Sequence, residues 1–164
     1  MLWAKVVWSR TIIARHAFVL WTFLNNRLST KQRLNKFSMQ LDTTCPRCSI
    51  AQESDLHTIY ECTYAKDIWD ELKKRWPLPI TTNQGILRHL THNKEGKIKM
   101  QVTYAIYAAT VYNIWEARNL YIFQHKHTPA QQLGKLIKDQ VIHRILVLNS
   151  FRNKFSLCLA SLLK

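Results

Sequence analysis

The chain has 164 residues, 47% of them hydrophobic and 11% aromatic, enough to bury a core in one domain or at most two small ones. Three glycines and four prolines are too few for a collagen-like repeat, a disordered chain or a turn-rich β-sandwich, so a mainly α fold is expected. A net charge of +14 points to phosphate-bearing polymers or anionic membranes as partners and does not choose between them.

In chain order, Ile12, Ile13, Ala17, Leu20, Trp21 and Leu24 recur at three- and four-residue steps and predict a first, heavily buried helix, with Arg10 and Arg15 off the stripe. Lys5, Arg10 and Arg15 ahead of the apolar run 17–24 also fit a targeting segment, secretory or mitochondrial. The absence of a small-residue cleavage pattern argues against the first, and the bulk of Trp8, Phe18 and Trp21 against the second. Thr30 is placed to cap a short helix running through Phe37, with Leu34 and Phe37 on one face and Lys31, Arg33 and Lys36 on the other. Farther on, Ala65, Ile68, Trp69 and Leu72 share a helical face, and Trp76-Pro77-Leu78-Pro79 ends that element. This divides the chain into 1–80 and 81–164.

Between residues 97 and 127 there is neither Gly nor Pro, and Ile98, Val102, Ala105, Ala109, Tyr112, Glu116 and Phe123 can continue one central helix. At 1.5 Å per residue it would be roughly 45 Å long. A final helix over about 129–149 is announced by Thr128 as N-cap, Pro129 at the first helical position and Gln131 closing a capping box, with Leu133, Leu136, Ile137, Val141, Ile145 and Leu148 as its buried stripe. The apolar residues 155–164, with the lone Cys158, suggest no particular place. No window of about 18 apolar residues exists, so no membrane span is expected.

Charge is uneven along the chain: +6 over residues 1–44, −1 over 45–80 and +9 over 81–164. A small Cys/His module set between basic helical pieces explains this pattern. Its ligands are Cys45, Cys48, His57 and Cys62. Two thiolates two residues apart on the Pro46-Arg47 turn supply one edge of a tetrahedron, and His57 and Cys62 supply the other, the donor set Zn²⁺ prefers. Ser54 or Asp55 can start the short helix that carries His57 to the metal. The competing reading is three buried free thiols and an unrelated histidine. Four protein ligands would leave no open position for water, so the metal is expected to support folding rather than hydrolysis, and Glu53 and Glu61 are read as solvated helix charges.

Among the other histidines, the pairs His89 and His92, and His125 and His127, lack a third ligand and read as surface or capping residues. No carboxylate pair suited to two-metal chemistry and no Gly-rich phosphate loop is present. No catalytic residue and no small-molecule substrate are therefore expected.

Val7-Trp8, His16-Ala17-Phe18 with Trp21, Arg27-Leu28-Ser29-Thr30 with Arg33-Leu34, the Cys45-Cys48-His57-Cys62 set followed by Tyr64 and Trp69, and the 112–119 run Tyr-Asn-Ile-Trp-Glu-Ala-Arg-Asn with Ile122-Phe123 form one ordered pattern. It resembles the zinc-binding region downstream of the reverse transcriptase in plant LINE-type (non-LTR) retrotransposon polyproteins, from about Trp8 to Arg144. The resemblance implies a domain attached to a polymerase that helps hold template RNA or target DNA during target-primed reverse transcription, in the nucleus or cytoplasm, without chemistry of its own. Ala117 stands where many relatives carry Glu, and the polymerase, endonuclease and ribonuclease H carboxylates are missing, so a detached fragment is expected.

Three readings of function follow. In the first, Lys31, Arg33, Lys36 and Arg47 contact phosphates of RNA or DNA without sequence preference, and Tyr60 or Tyr64 either stack on unpaired bases or belong to the core. In the second, a zinc-stapled helical domain docks on its polymerase, with Trp8, Trp21 and Trp115 as core or contact residues. The third is an expressed genomic relic with no selected role.

Overall fold

A computed structural model describes residues 4–37, 39–74 and 97–148. Its elements are α1 (Ala4–Val7), α2 (Ala14–Leu24), α3 (Lys31–Asn35), a π-helical turn (His57–Glu61), α4 (Thr63–Lys73), α5 (Lys97–Gln124) and α6 (Ala130–Val147). Among the described residues the only β pairing is a single bridge between Thr44 and Gln52. The fold is therefore mainly α, with the Cys/His segment between helices.

α5 runs unbroken because nothing between residues 97 and 124 interrupts its ladder, and about 42 Å of helix results. It is buried on most sides: Val102, Ile106, Ala108, Ala109, Val111, Ile114 and Ala117 all lie in the core. Around it pack α2 and α6, and α6 also packs on α4. Gly134 sits at that last crossing, where a Cβ would come within 3.1 Å of Glu71 Cγ.

An aromatic cluster joins four elements. Trp69 of α4 stacks between Tyr60 of the π turn and Tyr107 of α5, with ring centroids 5.8 Å apart on each side. Phe23 of α2 meets Tyr60 edge-on at 5.6 Å. Trp69 Nε1 donates to the Ile59 carbonyl at 2.7 Å, and the Tyr60 and Tyr107 hydroxyls hydrogen-bond to each other, so the polar ends of these rings are satisfied inside the core. Burial pushes both phenols well above their usual range. Tyr60 is thus committed to packing, the core alternative of the sequence reading.

Several boundaries differ from expectation. The N-terminal stripe breaks in two: α2 begins at Ala14, and its buried face is His16, Ala17, Leu20 and Phe23, leaving Trp21 and Leu24 half-buried and Trp8 exposed. α3 is shorter than foreseen, ending at Asn35, and Phe37 points to solvent. Thr128 does not cap α6. Pro129, extended at φ −60° and ψ 147°, is the N-cap and has no polar side-chain atom to offer, while the preceding Thr128 carbonyl accepts from the Tyr64 hydroxyl at 2.8 Å. Phe123 is 75% exposed and Leu136 44%, since neither falls where a neighbouring helix covers it, whereas Leu133, Ile137, Val141 and Ile145 are buried. The expected boundary near residue 80, the terminating Trp-Pro-Leu-Pro, His89, His92, Cys158 and residues 155–164 lie outside the described residues. No described helix is long and apolar enough to cross a membrane.

His16 is buried, stacked on Tyr112 at 4.4 Å, with Nε2 lacking a partner. Burial, assisted by the Arg15 charge, lowers its pKa from 6.5 to about 4. Because the folded value lies below the unfolded one, its contribution is present above pH 6.5 and lost as pH falls toward 4. We expect this to cost up to about 3 kcal/mol of unfolding free energy at 1.36 kcal/mol per pKa unit. Denaturant titrations of the wild type and His16→Phe between pH 7 and 4 check this: the difference in their stabilities should change with pH over that window, and a constant difference would refute it.

Candidate metal centre

The Cys45–Cys48 turn is built by backbone geometry. Cys45 N–H donates to the Ala51 carbonyl at 2.8 Å, Ser49 N–H returns to the Cys45 carbonyl at 2.9 Å, and Ser49 takes a positive φ of 55° to close the turn. Amides of Arg47 and Cys48 point at the Cys45 sulfur, the arrangement that stabilises a thiolate. On the other side Ser54 caps the next turn, its Oγ accepting from His57 N–H at 3.0 Å, which realises the helix start read from Ser54.

That turn widens into a π-helix, closed by Cys62 N–H to the His57 carbonyl at 2.8 Å. In an α-helix residues five apart stand about 140° apart around the axis. The wider π turn brings His57 and Cys62 nearer to one side, so both reach a common point. Cys62 is also the N-cap of α4, and the amides of Tyr64 and Ala65 are aimed at its sulfur.

The ligand atoms of Cys45, Cys48, His57 and Cys62 all lie within 4.8 Å of one another. The Cys45 and Cys62 sulfurs are 3.9 Å apart, and Cys48 Sγ is 3.3 Å from His57 Nε2. Zinc–sulfur bonds of 2.3 Å at tetrahedral angles place sulfurs about 3.8 Å apart, so these residues fit Zn²⁺ in size as well as in donor type. Two sulfurs this close resist ionising together: their mutual hydrogen bond pushes Cys45 up to about 12 and holds Cys62 below its usual value. A divalent cation between them removes that conflict.

Glu53 corrects the sequence reading most sharply. Far from being a solvated charge, its side chain is fully buried and meets Arg118 of α5 in a two-pronged pair, Nε to Oε1 at 2.7 Å and Nη2 to Oε2 at 2.6 Å. Lys31 N–H donates to Oε2 at 2.8 Å, and the Glu53 main chain bonds Thr43 and Gln32. The neighbouring Asp55 is buried too, accepting from Leu28 N–H at 3.1 Å and the Thr30 hydroxyl at 3.4 Å, and burial raises its pKa. Thr30 in turn caps α3 through Arg33 N–H, as its position foretold. Glu61, by contrast, is exposed. Arg118 was visible in the sequence as the single cation within the apolar stretch of α5; that it needs a buried carboxylate follows from its surroundings, but which one does not.

The four cations expected at phosphates are placed differently from one another. Lys36 is exposed, and Arg33 is half-buried with one guanidinium nitrogen donating to the Asn26 carbonyl at 3.0 Å. Lys31 turns its ammonium onto the Thr44 carbonyl at 3.0 Å. Arg47 is clamped between Tyr64 and Tyr121, with its guanidinium carbon 3.6 and 4.9 Å from the two ring centroids and both terminal nitrogens buried. Lys31 and Arg47 thereby tie the metal-binding turn to its neighbours, and Tyr64 packs instead of offering its ring.

Residues 1–69 match the family model described as zinc-binding in reverse transcriptase, a stretch that holds all four ligands and ends within α4. It is less than half of the chain, and the run around Arg118 lies beyond it. The matching family is a zinc-binding accessory region and not a polymerase domain. No curated protein and no solved structure matches the chain.

Two outcomes follow from this geometry. The chain should bind one equivalent of Zn²⁺, read by mass spectrometry under native conditions, and chelation should lower its melting temperature, since without an ion three thiols and an imidazole are left crowded within 4.8 Å of one another. Glu53→Gln should cost about 3–5 kcal/mol in denaturant unfolding by leaving Arg118 buried without a counter-charge. A double-mutant cycle with Arg118→Leu should recover part of that loss, and strict additivity would show the pair to be uncoupled.

Proposed function

We propose that this chain is a nucleic-acid-binding accessory domain of a reverse transcriptase, of the kind carried by plant LINE-type polyproteins. It holds template RNA or target DNA through phosphates, without sequence preference, and has no chemistry of its own. Four protein ligands leave zinc no open position, so its role is to fix the turn and the helix beside it. The carrying observation is the attachment of α3 to that centre: Glu53, one residue from the Thr44–Gln52 bridge, binds the first amide of α3, which carries the half-buried Arg33 and ends at the exposed Lys36. Cations fixed on a short rigid element retain less conformational entropy to lose when they meet a phosphate.

We take Arg33 and Lys36 as the main phosphate contacts, because the Lys31 ammonium is engaged by the Thr44 carbonyl and the Arg47 guanidinium lies between Tyr64 and Tyr121. A partner reverse transcriptase is the natural neighbour of such a domain. The protein-docking reading draws support from Phe37, Met39, Leu41 and Phe123, all apolar and exposed.

Fluorescence anisotropy with labelled RNA and DNA between 50 and 200 mM salt tests the proposal. Affinity should fall steeply with salt, and Arg33→Gln with Lys36→Gln should flatten the log–log slope for single strands by about 1.4, two contacts at roughly 0.7 each, with circular dichroism showing that the fold is kept. Salt-insensitive binding, or none, would refute it.

A further inference from the structure

Beside α3 a groove of about 670 Å³ runs between the 29–42 segment and the last turns of α5. Trp115, Ile122 and Phe123 form one wall, Leu34 and Leu41 the other, and Lys31 and Arg118 bring cationic groups into the lining. The guanidinium of Arg118 lies 4.7 Å from the Trp115 ring centroid, which fixes that indole at the edge of the groove. Asp42 is the only carboxylate in the lining, while Arg33 stands on the same short helix as Leu34 and Lys36 follows directly as its C-cap.

Phe123 and the half-buried Trp115 give this groove its aromatic surface, whereas the rings of Tyr60 and Tyr64 are spent on Trp69 and Arg47, and the exposed Trp8, Phe18 and Phe37 lie outside its lining. Phe123 is 75% exposed, although it ends a helix otherwise buried on most sides. An exposed aromatic and an indole about 12 Å apart along one wall, with Lys31 in the lining and Arg33 and Lys36 close to it in the chain, offer what unpaired bases require: π faces for stacking and positive charge for the backbone. A base-paired duplex offers its phosphates to Arg33 and Lys36 but has no free base face to enter the groove.

We infer that this groove binds a single-stranded stretch of RNA or DNA, stacking its bases on Phe123 and Trp115 while Arg33 and Lys36 hold the adjoining phosphates. The inference rests on the nucleic-acid reading above and adds the site and the strand state. Its occupant is set apart from an acidic amphipathic helix, the other ligand such a groove could suit, by the stacking faces at its wall.

The zinc-loaded full chain is titrated with a labelled single-stranded 12-mer and with the same sequence as a blunt duplex, at one salt concentration. Single strands should bind about tenfold tighter, and Phe123→Ala should remove most of that preference while leaving duplex affinity and the salt slope alone. Phe123 is exposed enough that its loss should leave melting unchanged; Trp115→Phe, which keeps a ring, serves as the second variant and should weaken single-strand binding less than Phe123→Ala. Equal affinity for the two forms, or an unaltered preference in Phe123→Ala, would overturn the groove assignment while salt-dependent binding keeps the nucleic-acid reading alive. Loss of all nucleic-acid binding would sink both. Phe123-dependent binding of a synthetic acidic amphipathic peptide, with nucleic-acid affinity indifferent to Phe123, would make the groove a protein dock and likewise overturn the assignment.

Discussion

The contact between Glu53 and Arg118 is what the rest of the arrangement hangs on. Two charges removed from water are costly to bury, and only a two-pronged geometry with further hydrogen bonds offsets the loss. Here the carboxylate has both: two guanidinium nitrogens and the Lys31 amide converge on it. The pair spans 65 residues of sequence and joins the candidate metal-binding turn to the longest described helix. It restricts how that turn can be oriented, because any rotation that separates the partners leaves a buried charge alone.

A metal held by the four-ligand site would divide the work with this pair. The four ligands can shape the 45–62 segment locally, since two backbone turns and a π-helical widening already aim them at one point. Nothing about that local geometry says where the module sits on the helical body. Glu53 to Arg118, Arg47 between Tyr64 and Tyr121, and Trp69 between Tyr60 and Tyr107 supply that placement. The first is directional and electrostatic, the other two are flat stacking contacts, and together they hold the module against α4 and α5.

A consequence is that the cations of the segment serve two purposes. Those turned inward, Lys31 and Arg47, brace the fold, while Arg33 and Lys36 remain on its outer side. Arg118 belongs to both descriptions, buried against Glu53 yet lining the groove beside Trp115. The metal-supported turn and the open aromatic wall are thus connected through one side chain, so the order of the first bears on the shape of the second.

Local chemistry was legible in the amino-acid order. The Cys45, Cys48, His57 and Cys62 spacing, the caps at Thr30 and Ser54, the buried face of α4 and the unbroken span of α5 each depend on residues within a few turns of one another, where chain geometry leaves little freedom. What needed the tertiary structure was every choice made between distant segments: which carboxylate answers Arg118, that Tyr64 takes up Arg47 and the Thr128 carbonyl, and that Phe123 rather than Tyr60 is left open. Periodicity names the apolar side of a helix, but only the neighbours that arrive there decide how much of it is covered and which charge is buried with a partner.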